Sequence, residues 1–271
     1  MGICKDPTTQ ELNKRGYNLV KLPRVGIEPM DVLGQEGKNM EKLGSIAEVW
    51  TSTSTIAVPS APVAVSGIEG SKTSDLDLGI GLKLLGDALA GLGGGIGLPA
   101  LNFAFKKAKK VQFKFVNVES ISITPFALGK FLENGSLDVS NPFVSHYSGN
   151  DETDEYIIFD VLKSDSISVT AKSESDLEIG ADITALSGAL GSKVSVKTAS
   201  TGSSEITFQG AAKATFAFKI LQVIFENGKW VPREVGADEH LSFAATADGN
   251  AEAIFGKGVI LSPSGRVRIR L

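Results

Sequence analysis

The sequence predicts a strand-rich α+β fold with a few short helices, and three observations carry this. Glycine is frequent, 30 of 271 residues, and Ser and Thr crowd the middle of the chain, a composition suited to strands joined by many turns. Apolar and polar residues alternate with period two over several long runs, the mark of a strand with one apolar face. Helical signals are confined to short stretches near 7–15, 85–92, 125–132 and 186–190.

Taken in order, Asp6 suits an N-cap, Pro7 the first helical position and Gly16 the left-handed position after the last turn, so residues 7–15 should form a short helix. Leu12 is its one large interior apolar residue, and a helix so short needs docking. Tyr17 to Val25 reads as a strand, with Pro23 marking an edge or its end. Residues 26–45 carry four glycines and scattered charges and read as loops around short elements. A strand is expected near Ala47 to Ile56. Val116 to Ile123 reads as continuous strand. Pro125 to Leu132 reads as a short helix that stops before the Asn134-Gly135 turn. Residues 148–155 form an acidic loop. Tyr156 to Leu162 is an apolar run broken by Asp160, as in a buried strand. Asn227-Gly228 is a hairpin turn with Trp230 and Val231 beginning the return strand, and Leu241 to Thr246 is a further strand.

Two stretches read in two ways at once. In the first, Leu76, Leu78, Ile80, Leu82 and Leu84 alternate with Asp77, Gly79, Gly81 and Lys83. Leu85, Leu89 and Leu92 then fall at helical spacing. After a glycine-rich break, Phe103, Phe105, Val111, Phe113 and Phe115 share one parity. In the second, Leu177, Ile179, Ala181 and Ile183 alternate, Leu186, Ala189 and Leu190 suit a short helix, and Val194 and Val196 alternate again. Ile206, Phe208, Ala212, Ala214, Phe216, Phe218 and Ile220 then share one parity, over a run longer than the usual globular strand. Residues 76–116 and 164–220 are therefore candidates for a conformational switch; the plain alternative is a surface helix followed by an ordinary strand. Each of the four alternating arms approaches the roughly 9 to 11 residues that a membrane-spanning strand needs. Backbone groups cannot stay unpaired in lipid, so such hairpins could insert only in a closed barrel built from many copies.

Charge and composition exclude several classes. The net charge of −4 does not suggest nucleic-acid binding. One cysteine, Cys4, rules out an intrachain disulfide and fits a reducing compartment. No apolar run approaches 18 residues and no secretory leader is visible, so any membrane contact is expected through strands, an interfacial helix or a lipid. A near-terminal cysteine such as Cys4 can carry an acyl group. Residues 248–271 hold four bases (Lys257, Arg266, Arg268, Arg270) and two acids (Asp248, Glu252), net +2, leaving −6 on the rest. A basic, alternating tail on an acidic body suits docking. Two histidines, His146 and His240, and the absence of nucleophile-elbow, P-loop and dinucleotide motifs leave little for catalysis. Gly95-Ile96-Gly97-Leu98-Pro99-Ala100 fits only the loose dinucleotide pattern, and Pro99 is expected to spoil a helix start there. Asp75 and Asp77 lack the remaining ligands of a calcium loop.

The start of the chain, Met1-Gly2-Ile3-Cys4-Lys5-Asp6-Pro7, running into Leu12, Gly16-Tyr17-Asn18-Leu19-Val20 and Leu22-Pro23-Arg24, resembles the N-terminus of the bacterial gasdermins. The two switchable regions and the short tail extend the resemblance over essentially the whole chain. The resemblance implies a twisted, mainly antiparallel central sheet with peripheral short helices. It implies a pore-forming domain at 1–247 and a linker with an autoinhibitory tail at 248–271, whose apolar contacts would come from Val259, Ile260, Leu261, Val267, Ile269 and Leu271. A protease, caspase-like or other, would cut near 245–258, where Asp248, Phe255 and Lys257 offer sites. The freed body, a monomer in the cytoplasm at rest, would assemble into a large homo-oligomer. It would insert two hairpins among the lipids of the inner membrane, in anti-phage defence. The membrane arms would include Leu78, Ile80, Leu82, Phe103, Phe105, Ile179, Ile183, Phe208, Phe216 and Phe218. By position, Cys4 would carry an S-acyl chain, palmitoyl in kind, held at rest in an apolar pocket; no other cofactor and no metal are implied. Two other readings stand beside this one: a non-enzymatic β-rich binding module with the tail as an integral strand, and a hydrolase using His146 and His240.

Overall fold

The computed structural model describes residues 12, 15–36, 39–52, 59–65, 76–94, 96–108, 110–148, 153–172, 182–190, 194–198, 205–226, 229–232 and 260–261. Two long antiparallel strands, β10 (Thr153–Lys172) and β12 (Glu205–Glu226), form its spine. At about 3.3 Å per residue each runs on the order of 65 Å. Neither is straight: the register slips at Ile158/Asp160, Leu162/Lys163 and Ser164/Ser166, and the last slip sets Ser164 opposite Ala214 but Ser166 opposite Gln209. Such bulges bend a strand and raise its twist. They also switch the faces: Ile158 and Val161, of opposite parity on either side of the first slip, are buried in the same cluster.

The other strands attach along this spine. At one end β2 (Asp31–Glu36) pairs β10 and β3 (Asn39–Ser45), while β13 (Lys229–Pro232) returns along β12. In the middle β8 (Glu119–Ser122) pairs β10 and β5 (Val63–Ala64), and β1 (Asn18–Arg24) pairs β12. At the far end β7 (Lys110–Val116) pairs β10 and β6 (Leu76–Asp77), and β11 (Val194–Thr198) pairs β12. A last strand, β14 (Ile260–Leu261), adds to β1. A separate pair joins β4 (Trp50–Ser52) to β9 (Gly135–Leu137). Each of these pairings is antiparallel, as the expected sheet requires.

The helices are short and peripheral: α1 (Leu78–Gly91), α2 (Leu98–Ala104), α3 (Pro125–Glu133), α4 (Pro142–Ser148) and α5 (Ile183–Leu190). α3 starts as its sequence directs, with Pro125 in the first turn and the Thr124 hydroxyl accepting from the Ala127 N–H. It packs Leu128, Phe131 and Leu132 beside Trp50, whose indole N–H donates to the Phe131 carbonyl at 3.3 Å. Leu12 is helical and buried; the Tyr17 N–H donates to its carbonyl at 2.9 Å, and Gly16 takes φ 79°, the left-handed turn expected after that helix.

Several expectations change. Residues 26–45 hold the β2–β3 hairpin rather than loops, because glycines stand where side chains would have marked the alternation. The strand expected at 47–56 opens instead as a 3-10 turn at Ile46–Glu48, closed by a Ser45/Glu48 capping box, with β4 following it; residues 53–56 lie outside the described residues. Phe103 and Phe105, read as one face of a strand, sit at the end of α2, the first 57% exposed and the second fully buried. Pro99 starts that helix instead of spoiling it, since a first-turn residue needs no intrahelical N–H partner. The continuous strand from 116 to 123 breaks at Asn117, with φ 54°, before β8 begins. The strand expected at 241–246, His240 and the alternation at 267–271 lie outside the described residues.

Candidate membrane-insertion arms and the tail contact

Both dual-natured stretches are stored in the same way: strand, short helix, strand. In the first, β6 leads into α1 and α2, and β7 follows. Leu78 and Ile80, placed in a strand by their alternation, lie in the first turn of α1. That helix contains four glycines, Gly79, Gly81, Gly86 and Gly91, each costing about 1 kcal/mol of helix preference relative to alanine. Its stability is tertiary: Leu82, Leu85, Ala88 and Leu89 turn inward and are buried. In the second stretch β10 is followed, beyond residues outside the description, by α5 beginning at Ile183, then β11 and β12.

The two stretches share one core. Leu82, Leu85, Leu89, Leu101 and Phe105 from the first lie in a single buried cluster with Leu186, Leu190, Phe208 and Phe216 from the second. Phe115 stacks on Phe216 at 4.0 Å with the rings nearly parallel. Lys114 and Glu205 form an ion pair across the sheet at 3.3 Å. Phe218 packs apart from this core, buried in another cluster with Val20, Ile27, Tyr156 and Ile158. Ile179 lies outside the described residues.

The tail strand meets this assembly through β1. Leu261 pairs with Leu19 and Ile260 with Val20. The other edge of β1 pairs β12, and its far end carries α1: a Cβ built on Gly91 would lie 1.9 Å from the Pro23 carbonyl oxygen. Only glycine permits that approach. Likewise a Cβ on Gly210 of β12 would lie 2.7 Å from the Leu92 carbonyl oxygen, just past α1. Tail, β1 and the end of α1 thus form a continuous line of backbone contact. A mostly apolar groove opens where the ends of β1 and α1 meet β12, lined by Pro23, Val25, Ala90, Leu92, Ala211 and Ala212, with Arg24 at its side. Cys4, Asp248, Phe255, Lys257, Val259, Val267, Ile269 and Leu271 lie outside the described residues.

A buried polar cluster pins the N-terminal segment to the spine. Asp160 accepts from the Tyr17 hydroxyl at 2.7 Å and from the Ser120 hydroxyl at 2.9 Å, and Lys219 stands 3.6 Å away and over the Tyr17 ring. Burial, and then the Asp160 charge, hold the Tyr17 phenol well above its ordinary value. In the sequence Asp160 shows only as a break in an apolar run. A lone acid in such a run is the available signal, since buried charges are found with partners. Nearer the β2 edge, burial raises the Asp31 carboxyl against the opposing effect of Lys42, whose ammonium lies 2.8 Å away.

Among the described residues no group of His, Cys, Asp and Glu could hold a metal, and no helix is long and apolar enough to cross a membrane. His146 is exposed on α4, its ring edge-on to Tyr147.

The family model for the Bacterial Gasdermin Family matches residues 20–230. A "Gasdermin bGSDM" of a Vitiosangium species is 35% identical over 236 residues, covering 84% of this chain and 85% of its own length. One from Lysobacter enzymogenes is 29% identical over 255 residues, covering 92% of each. Among solved structures, a bacterial gasdermin from Bradyrhizobium tropiciagri superposes with a TM-score of 0.60 at 18% identity, covering 84% of this chain and 90% of that one, a likeness of fold. The arms stored beside one core, the tail strand on β1 and the match over most of the chain converge: the protein belongs to the bacterial gasdermin family.

Proposed function

We propose that the protein is a pore-forming effector held closed by its C-terminal tail. The observation that carries this is the storage of two alternating segments as short helices between strands of one antiparallel sheet: β6 pairs β7 across α1–α2, and β10 and β11, on either side of α5, both pair β12. Straightening α1–α2 would lengthen the existing β6–β7 hairpin, and straightening α5 would extend strands already held in the sheet on β12. Backbone pairing in lipid then requires neighbouring copies, so the active form is a large ring of this chain in a membrane. The inner membrane is the proposed target and phage defence the proposed setting.

The tail's part follows from the line of contact through β1. With β14 in place the β1 edge is occupied; with it gone, the edge is a template for pairing with another chain. Cleavage between 245 and 258 by a caspase-like or other protease would thus free an edge and loosen the seat of α1 in one step. The apolar groove beside Gly91 has the chemistry to hold an acyl chain on Cys4 at rest.

The test is release of a trapped dye from liposomes of bacterial polar lipid. Protein with a protease site engineered between 245 and 258 should release dye after nicking and not before. Intact vesicles after complete nicking overturn the reading. A second reading has one observation in its favour: Ile260–Leu261 pairs within the main sheet, as an integral strand of a static binding module would. In that case removing 248–271 unfolds or aggregates the protein without leakage.

A further inference from the structure

Asp182 makes three hydrogen bonds, one to the first arm and two within the second. Its backbone N–H donates to the carbonyl of Ala104, the last residue of α2, at 2.7 Å. Its carbonyl accepts from the Leu186 N–H at 3.0 Å, and its carboxylate from the Ala185 N–H at 3.0 Å. One residue therefore satisfies the end of a helix in the first arm and begins a helix in the second. Helix ends expose backbone groups that need such partners. Around this joint, Leu101, Ala104 and Phe105 are buried with Leu186 and Leu190, and α1 contributes Leu85 and Leu89 to the same cluster.

We infer that the two arms open as one cooperative unit, with Asp182 as the joint between them. Moving α5 alone strands the Ala104 carbonyl and uncovers Leu101 and Phe105. Moving α2 alone uncovers Leu186 and leaves the Asp182 N–H without its acceptor. Each partial opening bares apolar and polar groups together, so the lowest opening is the joint one. This deepens the pore reading but is tested on the uncut chain in solution.

The experiment is native-state hydrogen exchange on intact protein, comparing amides of 82–92, 101–104 and 185–190. Asp182→Ala keeps the N–H and removes the helix cap. It should accelerate all three groups by a similar factor, about fivefold. Gly188→Ala works in the opposite direction. Gly188 is exposed in α5, and a Cβ added there would meet nothing within 4 Å. The variant therefore folds, and its better helix propensity should slow all three groups about two- to fivefold. A change confined to 185–190 in either variant overturns the inference. Dye release by nicked protein is a separate measurement: joint exchange without leakage would sink the pore reading and leave the coupling standing.

Discussion

Gly91→Ala inverts an ordinary rule, and the sign of its effect tests the seat of α1. In an open helix the change gains about 0.8 to 1 kcal/mol through lower backbone entropy in the unfolded chain. At Gly91 the new Cβ would lie 1.9 Å from the Pro23 carbonyl oxygen and 2.7 Å from its carbon. The obstacle is backbone, so no rotamer relieves it. Pro23 is itself part of β1, flanked by the pairing of Arg24 with Thr215 and of Leu19 with Ala217. The end of α1 must shift away, at a cost typical of overpacking, about 1 to 3 kcal/mol and toward the upper end for a backbone contact. The net expectation is a loss of about 1 to 2 kcal/mol. Gly188→Ala is the matched control, in another short helix with free space, and should gain about 0.5 to 1 kcal/mol. Urea unfolding of the two variants and wild type, with m-values checked for equality, reads the difference directly. If Gly91→Ala gains stability alongside Gly188→Ala, α1 is not seated on β1 and the route from tail to arm fails.

Tyr17→Phe should cost about 1.5 to 3 kcal/mol, because it removes a hydrogen bond to a buried carboxylate while leaving the ring beneath Lys219; urea midpoints measure it. Asp31 has a raised folded pKa caused first by burial. Its contribution to stability is therefore fully present below the ordinary value of 3.8 and is lost as pH rises through the folded value. The stability of wild type relative to Asp31→Asn should accordingly fall as pH rises from about 3 to 7, and a constant difference would contradict the burial argument. Charge reversal at Arg266, Arg268 and Arg270 should release a nicked tail less readily than Ile260→Ser with Leu261→Ser. Exposed ion pairs contribute about 0 to 1 kcal/mol each and a buried Ile or Leu about 1.5 to 3; gel filtration of nicked protein at low and high salt separates the two.

Strands flanked by clear turns were legible in the chain. β1, β11, β12 and the return strand after Asn227-Gly228 stand where alternation and turn residues put them. So does α3, whose Thr124 and Pro125 announce its start. The arms were legible only as ambiguous, for a physical reason. In Leu76 to Leu84 two of the four alternate positions, Gly79 and Gly81, are glycine, which marks neither a polar strand face nor a helix. Which state forms is decided by what Leu82, Leu85 and Leu89 find to pack against, and that partner lies far along the chain in Leu186, Phe208 and Phe216. The same separation in sequence hides the joint at Asp182 and the close approach of Gly91 to Pro23, since neither leaves a local pattern. Phe103 misleads because its parity matches Phe113 and Phe115 although the turn at 105–107 breaks the chain between them.

That ambiguity is itself an energetic statement. A helix with four glycines forgoes about 3 to 4 kcal/mol of intrinsic preference, so α1 persists only while its leucines stay covered. Burial of Leu82, Leu85 and Leu89, about 1.5 to 3 kcal/mol each, exceeds that deficit by a few kcal/mol. A margin of that size is comparable to the displacement cost of one added methyl at Gly91. The seat of α1 on β1, and whatever holds β1 in place, is therefore sufficient to decide whether the first arm remains a helix. β14 is placed on the edge of that strand, so under the proposed function a cut that removed only a short tail would act on a balance small enough for it to tip.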